Sequence, residues 1–112
     1  MKKQFLLLLS VAFAFVANAK NDEIERMLNS INAVQSYETV EKVDTTRSYY
    51  LMKFTQLLDP ENPEAGTFEQ RVMLGHRGFD RPTVVVTEGY GADYAFDNPR
   101  FWEELSYILD AN

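Results

Sequence analysis

An α/β architecture on a mixed sheet is the fold class this sequence predicts, and three stretches predict it. Residues 48–58 and 67–76 are two runs rich in aromatic and branched side chains, separated by a polar loop that contains Pro60, Pro63 and Gly66. That is the pattern of an antiparallel hairpin. Residues 82–87, PTVVVT, carry consecutive valines, which suit a third strand buried on both faces, as in a sheet covered by helices. After a glycine-rich corner, Phe101, Trp102, Leu105, Ile108 and Leu109 recur as a broad apolar stripe, the mark of a helix packed on that sheet.

The first 19 residues stand apart from this fold. Lys2 and Lys3, an apolar run from Phe5 to Val16, and Ala17-x-Ala19 make the three parts of a secretory signal. The run is shorter than the ~20 residues that span a bilayer. Cleavage after Ala19 is therefore expected, giving a secreted or periplasmic product with no membrane attachment. It takes away Lys2 and Lys3 and leaves 93 residues with nine basic and 17 acidic side chains, a formal charge of −8. Nucleic acid is an unsuitable partner for such a surface, because binding it needs clustered Lys and Arg to displace counterions. Cysteine is absent, so an exported fold must rest on its core and not on disulfides.

The remaining elements follow in order. Residues 20–47 read as an amino-terminal helix and a lead-in. Ile24, Met27, Leu28, Ile31 and Val34 recur at helical spacing from Asn21 to Val34, with Asn21 or Asp22 placed to cap the start. Tyr37 to Val43 alternates weakly and fits either an extended lead-in or a continued helix. Residues 48–112 hold the hairpin, the valine strand, the corner and a last helix. Asp97 or Asn98 is placed to cap that helix, with Pro99 at its first position, where a missing N–H does no harm. A buried parallel-type strand followed by a helix normally returns to the sheet as another strand, so the α/β domain is expected to be incomplete.

Chemistry concentrates at the corner Glu88-Gly89-Tyr90-Gly91. Glycines let a chain turn sharply and let a ligand approach the backbone, so such a corner is able to aim N–H groups at a developing negative charge. It is equally the composition of an ordinary turn. Glu88 has two readings: an anion that holds a ligand's ammonium group, or a surface carboxylate facing water or paired with Arg77 or Arg81. His76 is the single histidine, with no cysteine or carboxylate cluster to build a zinc site; His76, Arg77, Asp80 and Arg81 read as a turn held by local ion pairs. Phe101 and Trp102 read as helix core.

Phe54-Thr55-Gln56, the Asp59-Pro60 to Gly66-Thr67-Phe68-x-Gln70-Arg71 stretch, His76-Arg77-Gly78-x-Asp80-Arg81-Pro82-Thr83, Thr87-Glu88-Gly89-Tyr90-Gly91 and Glu104-Leu105-Ser106 occur in an order that resembles the amino-terminal part of the secreted bacterial tripeptidyl aminopeptidases. These serine peptidases are similar to α/β-hydrolases and, distantly, to the lysosomal prolyl carboxypeptidases. The resemblance spans about residues 49–112. It implies that the chain is the amino-terminal portion of an α/β-hydrolase-like sheet. On this reading Tyr90 or Gly91 supplies an oxyanion-hole N–H, Gly89 shapes the loop, and Glu88 meets the substrate's amino terminus. Peptides are the implied substrates, and acyl transfer by a serine triad needs no cofactor. No serine here sits in the Gly-x-Ser-x-Gly setting of a nucleophile elbow, so the triad is absent and this chain alone is expected to be inactive. The competing expectation is a small exported, non-catalytic binding or inhibitory module with the acidic hairpin as its contact surface.

Overall fold

The computed structural model describes residues 23–101 and 103–112. The expected signal segment and Trp102 lie outside the described residues. The chain divides into two units, residues 1–32 and 33–112. In the first, a helix α1 covers residues 23–30, with Ile24 and Leu28 buried one turn apart on a single stripe. It stops earlier than its apolar spacing predicts: Ile31 lies past its end, donating its N–H to Leu28 O at 3.2 Å, and Val34 already belongs to a strand.

The second unit is built on three antiparallel strands, β1 (Val34–Val40), β2 (Ser48–Leu57) and β3 (Thr67–His76), in the order β1-β2-β3. The hairpin expected from the sequence is therefore present as β2 and β3, in unbroken register from Ser48↔His76 to Leu57↔Thr67. Of the two readings for Tyr37–Val43, the extended one holds as far as Val40. β1 adds an edge that the sequence signalled only weakly, and its register on β2 shifts between Val34 and Ser36. One extra residue there, Gln35, bends an edge strand in the manner of a β-bulge. Tyr50 at the sheet centre is fully buried, and Tyr37 meets it edge to face at 6.0 Å.

The loop between β2 and β3 closes on itself. Asp59 Oδ1 accepts Glu61 N–H at 2.9 Å, Pro63–Ala65 forms one 3-10 turn, and Leu58 N–H donates to Gly66 O at 3.0 Å. Gly66 has φ +104, a conformation that penalises any residue with a Cβ.

Beyond β3 the structure corrects two expectations. Residues 82–87 are not a strand buried on both faces: Val85 is 82% exposed and Val86 43%. The physical reason is a lack of neighbours, since among the described residues this stretch gains only two ladder hydrogen bonds, both with Asn112. Nor does one helix start at Pro99. A short helix α2 (Ala92–Asp97) precedes it and another, α3 (Glu104–Ile108), follows. Asn98 and Pro99 end α2; Asn98 N–H closes on Tyr94 O at 3.1 Å, and a proline just past a C-cap is a stop signal as readily as it is a start. Phe101 consequently lies outside any helix, with its ring 6.0 Å from Tyr94.

α3 ends in a Schellman turn. Ala111 N–H donates to Ser106 O at 2.8 Å and Asp110 N–H to Tyr107 O at 3.2 Å, with Asp110 at φ 49 in the left-handed position usually given to glycine.

Gly75 faces Tyr49 across the β2–β3 ladder, and a Cβ there would stand 2.9 Å from Tyr49 Cε1. The ring has little room to yield, because its hydroxyl is tied to Asp44 Oδ2 at 2.8 Å. Gly75→Ala is expected to destabilise the unit by about 1–3 kcal/mol, read by urea denaturation, with a smaller cost in a Tyr49→Phe background. Equal costs in the two backgrounds would show that the tether plays no part.

Candidate functional site

The corner predicted to carry chemistry lies at the entrance to α2. Gly89 O accepts Ala92 N–H at 3.4 Å and Gly91 O accepts Tyr94 N–H at 3.0 Å. Among the described residues the N–H groups of Gly89, Tyr90 and Gly91 donate to nothing; Gly91 is the N-cap of α2 and the other two lie before it. Glu88, Gly89, Tyr90 and Gly91 are all exposed. Neither glycine has a positive φ, and a Cβ at either would meet open space. The sharp bend that the glycines suggested is therefore not what this backbone uses them for.

Glu88 makes no ion pair with Arg77 or Arg81. Both cations are held elsewhere, Arg77 Nε and Arg81 Nη1 each 2.6 Å from a carboxylate oxygen of Asp110. The His76–Arg81 turn is thus ion-paired as expected, but its main partner lies some thirty residues further on, beside the weaker local pair of Arg81 and Asp80 at 3.8 Å. His76 stands opposite Ser48 in the ladder, and its ring lies 4.7 Å from that of Phe79. Among the described residues no three His, Asp or Glu side chains come together as a metal site.

Glu88 instead borders a cavity of about 160 Å³. Met73 and Gly75 of β3 line one side, Val84, Val86 and Glu88 another, and Phe96 and Phe101 contribute aromatic surface. Two cations at its margin are already spent on backbone carbonyls. Lys42 Nζ donates to Ala95 O, Phe96 O and Asn98 O at 3.2, 3.0 and 2.7 Å, capping the negative end of α2. Burial pulls its pKa below the usual lysine value, against an opposing attraction from Asp97.

Arg47, whose side chain is 6% exposed, donates from Nη2 to Ser106 O at 2.9 Å and from Nε to Ala111 O at 3.1 Å. Its Nη1 pairs with Asp44 Oδ2 at 3.0 Å. Burial opposes ionisation of Asp44, yet hydrogen bonds from Thr46, Tyr49 and Arg47 hold its carboxyl at about 2. The same burial and the Asp44 contact push the Tyr49 phenol up.

Sequence reading missed this cluster. Asp44, Arg47 and Tyr49 sit in what read as a lead-in and a strand start, and the two carbonyls that Arg47 reaches, Ser106 O and Ala111 O, are about sixty residues away. Asp110 and Asn112 were missed for the same reason. Within the cluster the partners of Asp44 are local: Thr46 two residues on, whose N–H makes an Asx turn with it, and Arg47 three residues on.

With the geometry in place, comparison with known proteins identifies the class. The family model described as PS-10 peptidase S37 matches residues 17–112, and the chain belongs to that peptidase family. The prolyl tri/tetrapeptidyl aminopeptidase of Streptomyces mobaraensis is 52% identical over 64 residues, which are 57% of this chain and 13% of the relative. The chain thus spans a small part of that relative's length. No solved structure matches it.

The Asp44 carboxyl titrates below its ordinary value of 3.8. A depressed carboxylate pKa stabilises the fold above the unfolded value, and the effect is lost as pH falls through the folded one. Stability that depends on Asp44 is therefore expected to be complete above about pH 4 and to fade towards pH 2, by up to about 2 kcal/mol. Asp44→Asn should lose stability at pH 7 and show a flatter profile over that window in denaturant titrations. A variant profile parallel to the wild type would place the acid transition on other groups.

Proposed function

We propose that this chain is the amino-terminal part of an exported serine aminopeptidase that releases tripeptides from free peptide amino termini through an acyl-enzyme. The observation that carries the reading is membership of the S37 peptidase family over residues 17–112. The name of the Streptomyces mobaraensis relative, a prolyl tri/tetrapeptidyl aminopeptidase, supports the substrate class. The signal-like residues 1–19 support export. An α/β-hydrolase-like domain is the scaffold we assign, with the nucleophile elbow and the rest of the triad on segments outside these residues.

Within it the Tyr90 or Gly91 N–H serves the oxyanion hole. The exposed valines remove one ground for this role, that the corner follows a buried strand. What supports it is the family and the undonated state of the two amides. Such a donor is worth about 10²–10³ in kcat, because it meets charge that exists only in the transition state. Glu88 is the proposed contact for the substrate ammonium. Its carboxylate makes no hydrogen bond or ion pair among the described residues, so it has no competing partner there.

The test is a chimera in which this chain replaces its 52% identical segment in the Streptomyces mobaraensis enzyme. The chimera is expected to cleave tripeptide substrates with free amino termini, and the 112-residue chain alone is expected to cleave none. Tyr90→Pro or Gly91→Pro, each of which deletes an N–H, should lower kcat by about 10²–10³ with little change in KM. Gly91→Ala keeps the amide and has open space for its Cβ, so it should retain activity. Glu88→Gln should reduce the preference for free over blocked amino termini. If both proline variants keep full kcat, the oxyanion assignment is wrong; an inactive chimera that folds would count against the peptidase reading itself.

A further inference from the structure

The corner Gly89-Tyr90-Gly91 does not fix its own direction. Tyr90 is fully exposed, and a Cβ on either glycine would meet open space, so no packing supports the loop. Its hydrogen bonds run to α2: Gly89 O accepts the Ala92 N–H at 3.4 Å and Gly91 O the Tyr94 N–H at 3.0 Å. The aim of the Tyr90 and Gly91 amides is therefore inherited from that helix. α2 is itself six residues long, with Ala95 its one buried residue, so packing of its own side chains fixes little of its orientation.

Cations supply what packing does not. At the far end Lys42 Nζ donates to Ala95 O, Phe96 O and Asn98 O, and Val43 N–H donates to Pro99 O at 2.9 Å. A helix held at that end alone is still free to pivot. At the near end the anchor is Arg71 of β3, the strand paired with β2 in unbroken register. Its Nη2 donates to Asp93 Oδ1 in the first turn of α2, and its Cζ lies 4.8 Å from the centroid of the Phe96 ring. Asp93 and Phe96 are three residues apart and so share one helix face. A planar guanidinium that meets a carboxylate and an aromatic ring together restricts rotation of the helix as well as its tilt. Both ion-pair partners are solvent-accessible, so the contact adds little stability. What it adds is direction.

We infer that Arg71 is a positioning residue for the proposed oxyanion corner: by holding Asp93 and Phe96 it sets the angle at which α2 presents the Tyr90 and Gly91 amides. The inference rests on the oxyanion reading of those amides. On it Arg71 acts through α2 and not on the reacting atoms. An N–H that must come within hydrogen-bond reach of a developing oxyanion loses its effect when the helix that carries it turns away.

The test uses the chimera in which this chain replaces its counterpart in the Streptomyces mobaraensis enzyme. Arg71→Met, which keeps a long stem but neither charge nor fork, should lower kcat by about 10–100-fold with KM and the thermal midpoint unchanged. Asp93→Ala should do the same. The double variant should be no slower than the slower single one, as expected of two groups that act through one contact. Lys53→Met is the control: Lys53 stands opposite Arg71 in the ladder and pairs with Glu69 at 3.3 Å, away from α2, and its loss should leave kcat intact. With Gly91→Pro impaired, full kcat in Arg71→Met or Asp93→Ala would overturn the inference alone. So would a rise in KM in place of the fall in kcat, an equal loss in Lys53→Met, or fully additive effects in the double variant. An inactive unsubstituted chimera, or full kcat in both proline variants, would instead remove the reading beneath it.

Discussion

The connection between the end of the chain and the turn after β3 governs the second unit. Residues 77–84 form no regular element among themselves beyond one turn bond, Arg81 N–H to Gly78 O at 3.2 Å. Three consecutive residues of the carboxyl end supply what they lack. Asp110 takes Arg77 and Arg81, buried Ala111 offers its carbonyl to Arg47, and Asn112 serves both the turn and the start of the valine stretch. Backbone groups left without partners are costly wherever water is excluded. An asparagine side chain, which both donates and accepts, suits a loop that presents N–H and C=O groups together.

The position of Asp110 follows from the same constraint. A left-handed aspartate gives up some backbone energy relative to glycine, but a glycine there would leave two guanidinium groups without their carboxylate. The chain accepts a strained residue at the helix end and gains a two-arginine contact. Arg77 and Asp110 respond in opposite senses, the guanidinium raised chiefly by its hydrogen bond to Asp110 and the carboxyl lowered chiefly by that to Arg77. Both remain solvent-accessible, so the pair contributes orientation more than stability. Arg47 is the contrasting case, because a guanidinium that is nearly all buried must be fully satisfied, and Asp44, Thr46 and two carbonyls satisfy it.

How much of this was legible in the sequence depended on the range of the interaction. The β2–β3 hairpin was readable because both strands and their Pro/Gly loop are contiguous and alternate locally. α1 was readable from Ile24 and Leu28, though not its end. Asn98-Pro99 was ambiguous in kind, being the signature of one helix's stop and another's start. The corner at Glu88–Gly91 was legible as a place, but its glycines were misread as a conformational need. The Arg47 contacts with Ser106 and Ala111 and the Arg77–Arg81–Asp110 group were invisible because nothing local marks a charge whose partner lies thirty to sixty residues away.

The valines are the instructive failure. Their run was read as a strand buried on both faces, because three β-branched apolar residues in succession favour burial. The error lay in assuming that the described residues meet the preference. They do not: beside Val85 and Val86, the side chains of Leu105, Ile108 and Leu109 are also exposed. The matched stretch covers only 13% of the Streptomyces mobaraensis relative. Family membership rests on the sequence match over residues 17–112 and does not depend on how the valines are packed.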